Sequence, residues 1–357
     1  MSSLNRTQDA EKITVIQNKL KRRESLTDTA FLLTITISLF IVIYLMAIAF
    51  LGDKGFNKFQ MLFNLFNENA ALIVIACGLS IVMITGSIDI SVGGSTALIC
   101  TACIVCLNNY NFNFFITLIL ALAIGIAFGA LQGFLVAYLD MQPFIVTLAG
   151  MFLGRGLVAL IEVNQIQVKN APFEKLSGAR IQIPFIGDYN RKGAFIQSKL
   201  EYGVIVALII VFLMYLLLKK TKLGRSFYAV GGNPQSALML GINVKRTRFN
   251  AHLLCGILAG IGGFLYLFHT RSGSVQQATG LEMDAIAASI IGGTLLTGGV
   301  GNIFGTLFGV LTSGIALLVV TAIGSQDPWW PQITRAALLC FFIVLQSVIC
   351  SRKKNKI

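Results

Sequence analysis

From Ile90 to Leu139 the chain runs fifty residues without one Asp, Glu, Lys or Arg. No water-soluble surface can be built from such a stretch, and a single membrane crossing takes only about 20 residues. The interval therefore holds two spans, divided at the polar Asn108-Asn109-Tyr110-Asn111. Other charge-free intervals mark further spans at Thr29–Gly52, Asn69–Ile88, Tyr202–Leu218 and Phe249–Thr270, and Gln332–Cys350, which contains Arg335, is the last. Pro143–Ile161 is a span interrupted by Arg155, and Ala285–Gln326 supplies two, divided at Gly298-Gly299-Val300-Gly301. The expected fold is all-α and polytopic, with about ten transmembrane helices. A composition 55% hydrophobic and 12% charged agrees with it.

Basic residues orient the spans. Arg6, Lys12, Lys19, Lys21, Arg22 and Arg23 precede the first span, and Arg352, Lys353, Lys354 and Lys356 follow the last. Loop 219–248 holds seven more (Lys219, Lys220, Lys222, Arg225, Lys245, Arg246, Arg248) and no acid. Ten spans place all three clusters on one side, the cytoplasm. The division is a cytoplasmic tail 1–28, a membrane domain 29–351 and a cytoplasmic tail 352–357, with 163–202 as the largest external loop. That loop carries six basic and three acidic residues, so the bias holds in total rather than loop by loop. The net charge of +13 follows from topology and anionic lipid, not from nucleic acid, since no basic patch interleaved with aromatics occurs. The first span is an uncleaved anchor, and Ile13, Ile16 and Leu20 share a face of a short surface helix before it.

Loop 219–248 contains Asn233-Pro234-Gln235-Ser236-Ala237-Leu238-Met239-Leu240-Gly241. Asn233 suits an N-cap, Pro234 the first helical position and Gly241 a left-handed stop, which predicts one short helix. Four consecutive apolar residues in a basic loop need a cover, either lipid or a groove on another protein.

Several chemistries are excluded. The chain has no GxxxxGK[ST] phosphate loop, no GxSxG and no HExxH, so it is read as a non-enzyme without a cofactor. Cys100, Cys103 and Cys106 lack a fourth thiolate and have apolar and hydroxyl neighbours, which makes them small helix-packing residues. Ionisable groups in or near spans are Glu68, Asp89, Arg155, Glu162 and Asp284. Glu68 and Glu162 lie near span ends, where a solvated headgroup position accounts for them. Asp89 sits in Thr85-Gly86-Ser87-Ile88-Asp89-Ile90-Ser91-Val92-Gly93-Gly94-Ser95, which reads either as a break in helix at depth or as a short turn between spans. Gly125, Gly129 and Gly133, and again Gly301, Gly305 and Gly309, lie at every fourth position and predict close helix packing.

Three of these blocks resemble one family, the ribose-type permease subunits of ATP-binding-cassette sugar importers: Thr85–Ser95, Tyr228–Gly241, and Glu282-Met283-Asp284-Ala285-Ile286-Ala287-Ala288 with the glycines that follow. With Gln142–Gly156 they span most of the chain from about residue 60 onward. The chain departs from the pattern at Ser87, in place of a glycine, and at Gln235, in place of a glutamate. Pro143–Phe152, Leu238–Ile242 and the closing Trp329-Trp330 look most like a galactofuranose permease subunit.

The resemblance implies a type II-like importer fold and alternating access driven by a separate ATPase. It also implies partnership with an extracytoplasmic sugar-binding protein and a second permease subunit, homo- or heteromeric. Asp89, Ser91, Gln132, Thr147, Arg155 and Asp284 are then expected on the substrate pathway. Gly232, Asn233, Pro234, Gln235, Leu238 and Gly241 are expected at the ATPase contact. A nucleoside or other non-sugar solute, or an ion-coupled carrier using the carboxylates directly, are the alternatives.

Overall fold

The computed structural model describes residues 33–189, 195–323 and 329–354. The tail helix expected at Ile13, Ile16 and Leu20 lies outside them. Among the described residues, eight helices are long and apolar enough to cross a membrane: α1 (Leu33–Lys54), α2 (Phe59–Ile84), α3 (Val92–Tyr110), α4 (Phe114–Tyr138), α5 (Pro143–Ile161), α7 (Tyr202–Lys220), α10 (Val244–Thr270) and α12 (Ile303–Ile323). Short helices α6 (Ala171–Gly178), α8 (Lys222–Gly232) and α9 (Pro234–Met239) lie between them.

The expected pair of spans within 285–326 takes a different form. Its first half is α11 (Leu281–Ile291), eleven residues long, which is about half of a crossing. The chain then leaves helix through 292–302 before α12 returns. The final helix is α13 (Trp330–Lys354), whose apolar stretch includes Gln332–Leu345 and carries Arg335.

The core is built around α2, whose residues 70–84 are buried on every side by α10, α11, α12 and α7. Glycines set the closest approaches. A Cβ on Gly125 of α4 would lie 2.3 Å from the Gly256 carbonyl oxygen of α10, and one on Gly256 2.4 Å from that of Gly125. Gly309 of α12 is similarly tight, its Cβ position 2.0 Å from the Ala288 carbonyl oxygen of α11. Both glycine series therefore bring backbones together, as their spacing predicts.

Loop 163–202 is not all helix or coil among its described residues. Strands β2 (Arg180–Tyr189) and β3 (Phe195–Glu201) pair antiparallel, with an irregularity between Gln182 and Gly187. Two-residue strands β1 (Ile166–Gln167) and β4 (Ser272–Gly273) pair separately. The hairpin is tied to α2, which starts ten residues earlier than the charge-free interval suggested. The Lys199 amide donates to Gln60 Oε1 (2.7 Å), the Glu201 amide to Asn67 Oδ1 (2.9 Å), and the Phe59 and Gln60 amides to the Asp188 carboxylate (3.4 and 3.3 Å). Asn67, polar and buried, is thus satisfied by the hairpin backbone. Glu68 follows it within the helix rather than at its end.

Glu201 closes the arrangement, 2.9 Å from His269 Nδ1 and 3.2 Å from Arg180. Burial pushes its carboxyl up, but the His269 hydrogen bond and the charges of His269, Arg180 and Arg271 outweigh burial and hold it below the ordinary 4.5. A depressed carboxyl stabilises the fold above its unfolded value, and that contribution is lost as pH falls through the folded value. Hydrogen exchange at the Lys199 and Glu201 amides is expected to accelerate as pH drops below 4.5, after correction for intrinsic exchange. Glu201→Gln should remove the acid-dependent part. Equal acid sensitivity in wild type and variant would show that Glu201 does not hold the hairpin.

Candidate functional site

Two broken segments enter the bundle from opposite ends. At the end carrying α8 and α9, residues 85–91 leave helix after α2 and bury Asp89, which is 2% exposed. This is the break at depth rather than a surface turn. The Asp89 Oδ1 accepts the Ser91 amide (2.9 Å) and the Ser91 hydroxyl (2.6 Å), and that hydroxyl also reaches Gln132 Oε1 on α4 (3.0 Å). Thr147 on α5 donates its hydroxyl to the Pro143 carbonyl (2.9 Å) and to the Ile88 carbonyl (3.3 Å). Asp89, Ser91, Gln132 and Thr147 therefore form one cluster, in which side chains satisfy backbone freed from the helix.

The packing around this cluster leaves no slack. A Cβ on Gly150 would come 2.2 Å from Gln132 Nε2, and one on Gly94 2.5 Å from the Met151 carbonyl oxygen. Two groups on α10 that sequence reasoning passed over face the same place. Cys255 and His252 both lie within electrostatic reach of Asp89. Both His252 ring nitrogens and Gln132 Nε2 are buried without a hydrogen-bond partner among the described residues. The signal is present in the sequence, since positions 252 and 255 share one helix face.

From the other end, residues 271–280 descend without helix before α11 begins. Arg155 on α5 holds this descent, donating from Nη1 to the Val275 carbonyl (2.7 Å) and the Gln277 carbonyl (3.4 Å). Its Nη2 lies 3.5 Å from the Ala278 carbonyl. Arg155 is thus a backbone clamp at a distance from the Asp89 cluster. Asp284 stands apart again, 3.1 Å from Arg335 Nε of α13. The two broken segments meet at Gly93, where a Cβ would lie 1.9 Å from Glu282 Oε2. That oxygen is buried and has no partner among the described residues. The six pathway candidates are accordingly dispersed over three places.

The short helix forms as the sequence predicts. Asn233 caps α9 by accepting the Ser236 amide (2.9 Å), Pro234 opens it, and Gly241 (φ 78°) ends it with its amide on the Leu238 carbonyl (2.9 Å). Ala237 is 1% exposed against the chain's own α8 and α10 side, whereas Leu238, Met239 and Leu240 are 65%, 89% and 79% exposed. Gln235 is also exposed.

Gly232, the last residue of α8, is exposed, and its Cβ would meet nothing within 4 Å. A Cβ on the neighbouring Gly231 would lie 1.7 Å from the Ile84 carbonyl oxygen and 2.6 Å from the Gly299 amide nitrogen. The Gly299 amide donates to that same Ile84 carbonyl (2.8 Å), and the Tyr228 hydroxyl donates to the Gly301 carbonyl (2.8 Å). Burial pushes the Tyr228 phenol up to about 12, so it remains a donor throughout the physiological range. The end of α2, the 292–302 segment and α8 are thereby one joint.

Residues 61–343 match the family described as branched-chain amino acid transport system / permease component. The chain belongs to this family. It is 34% identical over 88% of its length, and 91% of the relative's, to the inner membrane ABC transporter permease protein YjfF of Escherichia coli K12. It is 33% identical to the fructose import permease protein FruG of Bifidobacterium longum, over 87% and 89% of the two chains. To the ribose import permease protein RbsC of E. coli K12 it is 32% identical, over 89% and 94%. No solved structure matches the chain. The protein is therefore a permease component, built as a multi-pass membrane bundle.

Within this permease, Asp89→Asn is expected to preserve the acceptor for Ser91 while removing the buried charge. Solute uptake should fall about tenfold, equivalent to about 1.4 kcal/mol, with assembly and ATP hydrolysis retained. Lost assembly instead would make Asp89 a structural residue, and unchanged uptake would remove it from the pathway.

Proposed function

We propose that the chain is the monosaccharide-carrying permease subunit of an ATP-binding-cassette importer in the cell (inner) membrane, with both termini cytoplasmic. The observation that carries this reading is α9: three exposed apolar residues on and just after a capped helix, in a loop, 219–248, that carries seven basic residues and no acid of its own. A separate ATPase would cover Leu238 and Met239, and the basic residues would steer it or bind anionic lipid. The opposite end, with its hairpin, is the docking face for an extracytoplasmic sugar-binding protein. A second permease subunit completes the pathway, and nucleic acid has no role.

The substrate class is supported by the names of relatives that import fructose, galactose and ribose. The resemblance of Pro143–Phe152 and Leu238–Ile242 makes galactofuranose the first candidate. Reconstitution with its ATPase and binding protein tests the reading. Sugar should accumulate in proteoliposomes only with ATP inside the nucleotide-accessible compartment, and a proton uncoupler should leave uptake unchanged. Uptake that survives ATP depletion and collapses with the uncoupler would make the protein an ion-coupled carrier.

A further inference from the structure

A cavity of about 380 Å³ lies inside this single subunit, between α2, α11, α12, α13 and the descending 271–280 segment. It is separate from the Asp89 cluster. Glu68 and Asn69 of α2, Gln276 and Thr279 of the descent, and the Asp284–Arg335 pair supply its polar wall. Leu72 and Leu317 supply an apolar one. Its size falls within the range of small-molecule sites.

The chemistry of the wall selects among solutes. Two carboxylates oppose an anion, and Arg335, already 3.1 Å from Asp284, opposes a cation beside that acid. What remains is a dense set of donors and acceptors whose charged groups, Glu68, Asp284 and Arg335, sum to one negative charge, flanked by leucines. Carboxylate and amide groups recognise vicinal hydroxyls, and leucine faces accept C–H surfaces. Space is reserved for this wall, since a Cβ on Gly314 would press to 2.8 Å from Asn69 Nδ2 and from a Leu65 methyl.

We propose that this cavity binds a neutral polyhydroxylated solute, a monosaccharide, so that each permease subunit holds its own sugar site. The proposal rests on the sugar-permease reading, and its test is read separately from it. Thr279→Cys, in a chain whose Cys106, Cys340 and Cys350 are replaced by Ser, is alkylated in the complete ATPase-bound complex in nanodiscs. Ribose, galactose and fructose are added one at a time, with choline chloride and sodium sulfate as charged comparisons. At about 50 mM sugar and a Kd of about 10 mM, the rate should fall about sixfold, as 1 + [L]/Kd. The two salts should leave it unchanged.

If none of the sugars slows alkylation, or if either salt slows it as much, the site is not a sugar site. Leu317→Trp, which fills the cavity, should abolish ATP-driven uptake while ATPase co-purification persists; wild-type uptake by that variant would also overturn the proposal. Protection of Thr279→Cys without uptake by the unmodified transporter would keep the site and sink the importer reading. Uptake without protection would do the reverse.

Discussion

Leu238→Asp is expected to strip the ATPase from the permease. Leu238 stands 65% exposed on α9 beside Met239, while Ala237 at 1% fixes the helix to its own bundle. On the docking proposal the partner's groove receives Leu238, and an aspartate there carries a charge into an apolar contact. Such a change costs about 3–5 kcal/mol, which raises Kd by about two to three orders of magnitude. Co-purification of the ATPase should fall to background, together with ATP-dependent uptake. Gly241→Val should act more mildly. Its Cβ meets nothing within 4 Å, so only the left-handed φ of 78° resists it, at about 1–3 kcal/mol of strain within the permease. Gln235→Glu should be tolerated, because the resembling permeases carry glutamate there. If Leu238→Asp keeps the ATPase at wild-type stoichiometry and transports normally, α9 rests on lipid and the docking assignment is wrong.

Gly231→Ala is expected to abolish transport by another route. The added methyl would stand 1.7 Å from the Ile84 carbonyl oxygen, a backbone atom that is also held by the Gly299 amide. No rotamer relieves this, so α8 must move off the end of α2, and overpacking of that kind costs about 1–3 kcal/mol or more. The exposed face of α9 is untouched, so the ATPase should remain bound while uptake falls by about tenfold or more. Gly232→Ala, one position on, should have the smaller effect because its Cβ is unopposed. Equal transport by Gly231→Ala and wild type would show that the joint does not carry motion from α9 to α2.

The parts of this fold that were legible in the sequence are those fixed by local chemistry. The short helix α9 was specified by Asn233, Pro234 and Gly241, each acting on its own backbone. Pro143–Ile161 was bounded correctly by a proline start and the carboxylate that follows. Errors arose where distant residues decide. A charge-free interval puts the start of α2 at 69, just after Glu68, whereas the helix begins at Phe59. Gln60 and Asn67 are accommodated because the hairpin backbone pairs with them across more than a hundred residues. The short α11 was missed because hydropathy does not register that 292–302 abandons helix while staying apolar and glycine-rich. Arg155 was correctly picked out as an oddity in a span. Its partners, three carbonyls from 275–278, had no signature, since any residues offer carbonyls. Gly231 was overlooked beside Gly232 because only the fold shows which of two glycines faces Ile84.

The seam between α4 and α10 constrains where this protein can bend. Gly125 and Gly129 meet Gly256 and Gly260 backbone to backbone. Such residues surrender no rotamer freedom on packing, so the contact is close without an ordering penalty. Two helices joined this way cannot slide by a fraction of a turn, because every register but the present one drives a larger neighbour into main-chain atoms. They should travel as one beam during a transport cycle. Compliance is then left to the stretches that are already unwound, 85–91, 271–280 and 292–302, so the bends of the machine fall where Asp89 is buried and where Arg155 holds bare carbonyls.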